Sequence, residues 1–324
     1  MEKSDRRNTY QYKLRESKFG KLKKLGSLMV GEYKDMFKRD YDFPLAPTLE
    51  EFAHIFHIPD RDQIPYIGAM GFPEVALVAQ ALRLEKNLVK VNLHTKGNVR
   101  GFTSKFLLEK ATLFASSGSW DALYIVFSLL IYGLGLFPKI EGFVDKIVVS
   151  ILISRNLVST LLDDVFFSFH WRNQKRGGTL NYCIPLLYKW ILTHLPRRGP
   201  FADNFRALKW SHRLMSLDDE DVVWYYHDYD RVKLVYSCED FPNIPLVSSK
   251  GGVINYNSVL SLCQLGYQLK EEPKSKFLEE FLIAEKVKDA NMMKRIRRAW
   301  GKVQCIGKKE LGKQNYIIIE SYKE

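Results

Sequence analysis

The sequence lacks the short motifs that mark the commonest enzyme classes. It contains no G-x-x-x-x-G-K-[ST] phosphate loop, no G-x-S-x-G nucleophile elbow and no H-E-x-x-H zinc motif. Gly133 and Gly135 are followed by Pro138 instead of by a glycine that opens a dinucleotide-binding helix. His54 and His57 share one helix, but no third ligand of suitable spacing follows, so packing or capping is the favoured interpretation. We therefore predict no catalytic, metal-binding or cofactor-binding residue, no cofactor and no enzymatic activity.

Cysteine is scarce, and the few cysteines lie far apart. Cys183, Cys238, Cys263 and Cys305 form no C-x-x-C pair, which argues against a zinc knuckle or a thioredoxin-like motif. Residues 1–25 are polar and basic and lack the apolar core of a signal peptide. These features predict an intracellular protein, nuclear or cytoplasmic and not secreted, with reduced thiols.

Long uninterrupted hydrophobic runs are also missing. The most apolar stretch, 122–137, is shorter than the roughly 20 residues that a membrane-spanning helix needs. Asp145 and Lys146 interrupt the apolar segment that follows it. We predict no membrane span and interpret 122–137 as part of a buried core hairpin.

Adjacent acidic residues inside an apolar helix are the closest approach to a catalytic pair. Asp163 and Asp164 point about 100° apart on a helix, so they are poorly placed to share a proton. We expect one of them to pair with a base such as Arg155 or Arg172.

Positive charge is concentrated at the two ends of the sequence. The formal net charge is +12, of which residues 1–40 contribute +6 and residues 270–324 contribute +5. The middle of the chain is nearly neutral, which argues against one continuous basic groove. Basic ends are compatible with nucleic acid, an acidic partner or a membrane surface, and the simplest alternative is a solvated polar tail.

Helical periodicity dominates the first two thirds of the chain. Thr48 and Glu51 form a capping-box pattern, and Thr103 is a second candidate cap. Phe106, Leu107, Leu113 and Phe114 are predicted to share one buried stripe. Helical spacing and breaker residues predict helices near 20–40, 48–57, 75–84, 103–115, 120–134, 143–154, 159–171, 182–195, 257–265 and 275–303.

The pattern changes after residue 221 to short runs of β-branched and aromatic residues. Runs 222–226 and 232–236, separated by the turn 227–230, predict a β-hairpin. The predicted fold class is therefore mainly α, a multi-helix globular domain with a small antiparallel β element near 221–247, in the C-terminal third.

The last predicted helix is amphipathic and carries a basic stripe. Lys294, Arg297 and Arg298 are spaced i, i+3 and i+4, with Arg295 beside them. An apolar side formed by Met292, Ile296, Ala299, Trp300 and Val303 lies opposite.

The basic stripe has two interpretations. It is either a solvated face or, with Lys21, Lys23 and Lys24, a set of candidate nucleic-acid contacts that touch phosphates without reading sequence. Trp210 and Trp224 are interpreted as structural, because each lies in a locally apolar pattern suited to packing helices onto the sheet.

A series of short motifs, in order, resembles a known plant family. They lie at 47–52, 64–66, 96–97, 100–102, 130–133, 136–138, 185–190, 194–196, 210–213, 223–225, 241–246, 251–252, 255–257 and 264–267. Together they are similar to the plant mobile domain, and more so to a related plant domain described as retrotransposon-derived. The resemblance covers about 42–268 and continues through the helix to Trp300.

The resemblance implies a mainly helical domain that occurs alone or within transposable-element reading frames. It implies no catalytic residues, and the basic start and the 316–319 end depart from the usual form. Together with the charge distribution, the resemblance predicts a basic N-terminal arm at 1–41, a plant mobile domain-like body at 42–268, and a basic C-terminal helix and tail at 269–324.

Three functions remain open on the sequence. The first is a non-enzymatic, transposable-element-related interaction domain with an unknown protein partner. The second is a nucleic-acid-binding protein that uses its basic terminal segments, with weak, non-specific affinity. The third is an unrecognised or degenerate enzyme, for which a deep polar pocket with convergent titratable groups would be expected.

Overall fold

The fold comes from a computed structural model. The residues that it describes are 12–14, 46–57, 73–155, 157–174, 178–180, 183–217, 221–223, 233–238, 241–249, 251–267, 282–283 and 289–312.

Helices make up most of the described chain, which confirms the predicted fold class. In chain order, α1 to α13 are Leu49–Phe56, Val75–Leu82, Lys86–Asn92, Ser104–Ser116, Trp120–Ile131, Lys146–Ser154, Leu157–Gln174, Ile184–Thr193, Pro200–Asp203, Trp210–Met215, Ser258–Gln264, Ala290–Gly301 and Lys308–Leu311. A π-helical turn, Tyr132–Leu136, continues α5.

The strands are short and form small separate sheets. In chain order, β1 to β10 are Tyr12–Leu14, His94–Lys96, Val99–Thr103, Phe143–Asp145, Gly178–Leu180, Leu234–Ser237, Ile244–Val247, Val253–Tyr256, Leu282–Ile283 and Gln304–Ile306. Two antiparallel three-stranded sheets have the orders β2-β3-β4 and β7-β8-β9. β6 pairs with β10 antiparallel, and β1 pairs with β5 parallel.

One large core joins elements from both ends of the described chain. Phe52 of α1, Leu161 of α7, Trp190 of α8, Ile244 of β7 and Ile296 of α12 are buried in the same cluster. Two smaller clusters lie around α11 and around α9 with α10. Helix α12 therefore shares its core with the preceding helices. The predicted domain boundaries at residues 41 and 268 stay a prediction.

The predicted helix caps are present. The Thr48 hydroxyl accepts a hydrogen bond from the Glu51 amide at 3.2 Å, and the Glu51 carboxylate accepts one from the Thr48 amide at 2.8 Å. Thr103 caps α4 by accepting from the Phe106 amide. His57 ends α1 in a left-handed conformation with φ 54°, and its backbone N–H reaches the Ala53 and His54 carbonyls.

Two glycines are explained by the close approach of β4. A Cβ on Gly101 would collide with the backbone carbonyl of Val144, and a Cβ on Gly133 would lie 2.6 Å from its side chain. Both glycines belong to the series of short motifs, at 100–102 and 130–133, that carries the family resemblance. Their lack of a side chain lets β3 and the π-helical turn pack directly against β4.

The predicted hairpin of 222–226 with 232–236 falls mostly outside the described residues and stays a prediction. β6 begins at Leu234 and pairs with β10, while Val222 and Val223 are not in a strand. Residues 224–232 lie outside the described residues. Short β-rich runs do not specify their partner strand. The strand that pairs with Val235 is β10, near the other end of the sequence.

The predicted helix 275–303 is wrong in its extent, because the helix that the structure describes in this region begins only at Ala290. Leu282 lies in β9 and pairs with β8, and the helix over this region is α12. The start of α12 is fixed by Asp289, whose side chain accepts a hydrogen bond from the Asn291 amide at 2.8 Å. Val303 follows the helix and is only half-buried.

The segment 122–137, interpreted as part of a buried core hairpin, contributes to the core but is buried on one side only. Ala122, Val126 and Leu129 face the core, but Tyr124 and Phe127 are exposed. In α4, Phe106 and Leu107 are buried as predicted, whereas Leu113 is exposed. Among the described helices, none combines the length and the apolar composition needed to cross a membrane.

Candidate functional site

Two adjacent glutamates in the first turn of α1 are buried, which is unusual for carboxyl groups. We define the carboxyl hub as the side chains of Glu50, Glu51, Trp190, His194 and Tyr256, all of which are buried. Charged groups are rarely buried unless they are paired or hydrogen-bonded. The partners of each carboxyl therefore decide what the hub does.

Glu51 connects α1 to α8. Its Oε2 atom accepts a hydrogen bond from Trp190 Nε1 at 2.8 Å, and its Oε1 atom lies 3.3 Å from His194 Nε2. Gln264 of α11 approaches Oε2 at 3.5 Å. His194 Nδ1 lies 2.7 Å from the Val223 carbonyl oxygen, which fixes the ring between the two groups.

Glu50 connects α1 to two strands. It accepts hydrogen bonds from the Val235 amide at 2.7 Å and from the Tyr256 hydroxyl at 2.5 Å. Burial raises the pKa of the Glu50 carboxyl from 4.5 to about 7, although both hydrogen bonds oppose the shift. Burial and the neighbouring Glu50 carboxyl raise the pKa of Tyr256 well above its ordinary value.

The chemistry of the carboxyl hub is that of a structural junction. Its hydrogen bonds tie α1 to α8, β6 and β8, and its members are shielded from solvent. A substrate could not contact these carboxyls without displacing core side chains. The raised pKa of Glu50 therefore follows from burial in a core and is not by itself a sign of catalysis.

A second acidic site lies where α7 packs on β7 and β8. Asp164 accepts a hydrogen bond from the Ser249 amide at 2.8 Å. Asp163 is fully buried, and burial followed by the charge of Asp164 raises its pKa well above the ordinary range. The Ser248 hydroxyl and the Ile254 backbone oppose this shift. The expected pairing of one of these aspartates with Arg155 or Arg172 stays a prediction, because the side chain of Arg172 lies outside the described residues.

The solvent-facing side of α5 presents large apolar side chains. We define the α5 stripe as Trp120, Tyr124, Phe127 and Ile131, which are 57%, 64%, 54% and 45% exposed. They follow one another at intervals of four, three and four residues, so they lie along one face. Single exposed apolar residues are ordinary, whereas these four form a continuous exposed apolar stripe.

The surroundings of the α5 stripe are mixed in charge. The neighbouring helix α4 carries a surface groove lined by Ser104, Lys105, Leu108, Glu109 and Thr112. Asp121 is the only charged residue within α5. The stripe therefore has little charge of its own with which to select an oppositely charged partner.

The basic stripe of α12 is exposed as predicted. Lys294, Arg295, Arg297 and Arg298 are all exposed, and the guanidinium of Arg295 lies 5.1 Å from the ring centre of Phe241. The opposite face of α12 is docked, because Trp300 is buried and its Nε1 atom donates to the Pro245 carbonyl at 2.7 Å.

A family profile described as Domain of unknown function (DUF7745) matches residues 36–324. The chain belongs to this family. Neither the curated proteins nor the solved structures gave a match. The carboxyl hub, the α5 stripe and the basic stripe all lie within the DUF7745 domain.

Of the remaining predicted site residues, the structure describes only Trp210. Lys21, Lys23, Lys24 and Trp224 lie outside the described residues. Trp210 is half-buried on α10 and packs in a small helical cluster, with its ring centre 5.7 Å from that of Phe201.

Trp210 therefore packs helix against helix, and not onto the sheet as predicted. The guanidinium of Arg213 lies 5.0 Å from the ring centre of Trp210, and it donates a hydrogen bond to the Phe201 carbonyl. His54 and His57 have ring centres 6.1 Å apart. Within the part of the chain that the structure describes, no three His, Cys, Asp or Glu residues form a metal-binding group.

Two features of the DUF7745 domain were missed in the sequence. The α5 stripe had a readable signal, since its spacing is that of a coiled-coil seam and a second apolar face occupies the other side. The capping box revealed one half of the role of Glu51. Its partner Trp190, 139 residues later, had no local signal.

Proposed function

We propose that this DUF7745 domain is a non-enzymatic interaction domain that binds a helix of a protein partner through the α5 stripe. The observation that supports this proposal is the continuous exposure of Trp120, Tyr124, Phe127 and Ile131 on a helix whose other face is in the core. Helix-in-groove recognition uses anchors at this kind of spacing. Aromatic side chains are also enriched at the centres of interfaces.

The use of the buried acidic groups supports a non-enzymatic role. Glu50, Glu51 and Asp164 each hold an amide or a side chain of a neighbouring element. Glu50 and Glu51 are buried, which leaves them unsuited to a dissolved substrate, whereas Asp164 is half-buried. The groove on α4 is an open surface feature lined by mixed side chains, and not a deep polar pocket.

The finer assignment is a transposable-element-related domain that acts inside the cell, in the nucleus or the cytoplasm. It is supported by the series of short motifs that resembles the plant mobile domain. Mass spectrometry of proteins co-purified from intact nuclei and from cytosol tests this assignment. Recovery of the chain from a secretory fraction alone would contradict it.

The test of the interaction role compares two kinds of substitution on immobilised chain. Tyr124→Glu with Phe127→Glu places charge in the middle of the α5 stripe and should abolish retention of partner proteins. Val91→Glu changes another exposed apolar residue, outside the stripe, and should leave retention unchanged. Equal retention by all three proteins would overturn the proposal, provided that circular dichroism shows the same folded content.

A second candidate function is nucleic-acid binding by the basic stripe. Its support is that the four basic side chains face solvent while Trp300 anchors the other side of α12. If about three or four phosphates are neutralised on duplex DNA, log K should fall against log salt with a slope of about −3 to −4. Fluorescence anisotropy at several salt concentrations measures the slope.

The matched variant changes Lys294, Arg295, Arg297 and Arg298 to Gln. It should flatten the slope without changing the fold, because none of these side chains is buried. Lys86→Gln with Lys90→Gln, on the exposed side of α3, serves as a charge control and should leave the slope unchanged. Absence of binding by the unsubstituted chain at low salt, to both duplex and single strands, would make the basic stripe a solvated face.

A further inference from the structure

The spacing of the α5 stripe is symmetric about its centre. Its residues follow at intervals of four, three and four, so they occupy the d, a, d and a positions of a coiled-coil seam. The centre lies midway between residues 125 and 126. A second, antiparallel α5 rotated about this point would place Trp120 opposite the partner's Ile131 and Tyr124 opposite the partner's Phe127.

We propose that the partner of the α5 stripe is a second copy of this chain, bound antiparallel across a two-fold axis at the centre of α5. This inference rests on the proposed interaction role. Most homo-oligomers are closed dimers in which the same patch faces itself. The symmetric spacing meets this requirement without an offset, because each apolar residue of one copy faces an apolar residue of the other.

Charge favours the antiparallel arrangement over the parallel one. A parallel pair would bring the two Asp121 carboxylates of α5 together at one end. In the antiparallel pair they lie about 14 Å apart along the axis, at a rise of about 1.5 Å per residue. This distance exceeds the Debye length of about 8 Å at physiological salt, so their repulsion is largely screened.

The size of the surface suits a reversible dimer. Roughly half of each side chain in the α5 stripe is exposed. With aromatic side chains of about 150–250 Å² each, the stripe offers on the order of 400 Å² per copy. The two copies together would bury about 800 Å², less than the roughly 1,200–2,000 Å² of stable interfaces, so we expect a weak dimer that forms only at high concentration.

The first experiment is sedimentation velocity of the full chain over a wide concentration range. The unsubstituted chain and Val91→Glu should shift from monomer to dimer as concentration rises. Phe127→Glu alone and Tyr124→Lys alone should each remain monomeric. Circular dichroism of each variant separates a loss of contact from a loss of fold.

The second experiment reads the register by mixing the two monomeric variants. In the antiparallel dimer, Glu at 127 of one chain faces Lys at 124 of the other, and the second pair remains Tyr124 with Phe127. The mixture should therefore recover a heterodimer, whereas a parallel pair would place 124 opposite 124 and recover nothing. Failure of the mixture to dimerise would overturn the antiparallel register.

The outcomes also separate this inference from the proposed function. A chain that stays monomeric, yet retains other proteins only when the α5 stripe is intact, would overturn the second-copy assignment and leave the interaction role standing. A monomeric chain whose retained proteins do not change with Tyr124→Glu and Phe127→Glu would overturn both.

Discussion

Glu50 is the residue in which burial and hydrogen bonding oppose each other most directly. Its carboxyl is buried, accepts from the Val235 amide and meets the Tyr256 hydroxyl. Burial is the larger effect and raises its pKa to about 7. The folded state therefore retains a proton that the unfolded chain releases in mildly acidic solution.

The pH dependence of stability follows from this difference. Below about pH 4.5 both states hold the proton, and between about 4.5 and 7 only the folded state does, so folding stability should fall as pH rises through this window. The Glu50 contribution lost is about 3 kcal/mol. Urea unfolding at a series of pH values measures it.

Glu50→Gln removes this titration and should flatten the fall in stability between pH 4.5 and 7. Glu109→Gln changes an exposed glutamate and should keep the original profile. Asp163 also has a raised pKa, so a residual fall is expected in both variants. Parallel profiles for Glu50→Gln and the unsubstituted chain would contradict the prediction.

Single residues were predictable from the sequence where their role is local. The caps Thr48 and Thr103 were identified because a cap and its target lie three residues apart. Trp190 and Trp300 are the buried, hydrogen-bonded tryptophans of the described chain, yet neither was chosen as a structural tryptophan. Their acceptors are distant in sequence, so local pattern could not rank them above Trp210.

At the scale of elements, α12 shows how one helix can be both docked and basic. Trp300 fixes its inner face by donating to the Pro245 carbonyl at 2.7 Å. That bond ties α12 to β7, and the buried Met293, Ile296 and Ala299 pack the same face of the helix into the core. The stability of the docking can be measured separately from any nucleic-acid contact.

Substitution of Trp300 should destabilise the fold in two steps. Trp300→Phe leaves the Pro245 carbonyl without its donor and should cost about 1–3 kcal/mol. Trp300→Ala also removes the buried ring and should cost about 3–5 kcal/mol. Trp120→Ala is the matched control, since the same residue type is exposed there, and at low concentration its effect should stay within about 0.5 kcal/mol.

Denaturant unfolding with circular dichroism detection measures these differences. Similar destabilisation by Trp300→Ala and Trp120→Ala would contradict the assignment of Trp300 as an anchor.

Helices were predicted more reliably than strands, for a physical reason. Helical hydrogen bonds are local, so caps and periodicity in the sequence place α1, α4 and α8 within a few residues. Strand bonds join distant segments, which is why the pairing of β6 with β10 was missed. The stripe on α5 was missed because a helix that is apolar on all sides was taken to be buried on all sides.

At the scale of the whole molecule, the shared core predicts cooperative unfolding. The large core cluster has members from Leu49 near the start of the described body to Trp300 near its end. Glu50 of α1 also accepts hydrogen bonds from β6 and β8. Far-UV circular dichroism and tryptophan fluorescence should therefore report one transition with the same midpoint. Two separate transitions, or a spectrum dominated by strand, would show that the described elements form more than one folding unit.

The long sequence distance between α1 and its partners bears on folding during synthesis. The partners of α1 at Val235, Tyr256 and Gln264 lie 185 to 213 residues downstream of the glutamates that they contact. At about 5–20 residues per second, the ribosome takes on the order of 10 to 40 s to supply them. Until then the Glu50 carboxyl lacks the Val235 amide and the Tyr256 hydroxyl, which hold it in the folded state. We therefore expect α1 to reach its buried position late, after most of the chain has been made.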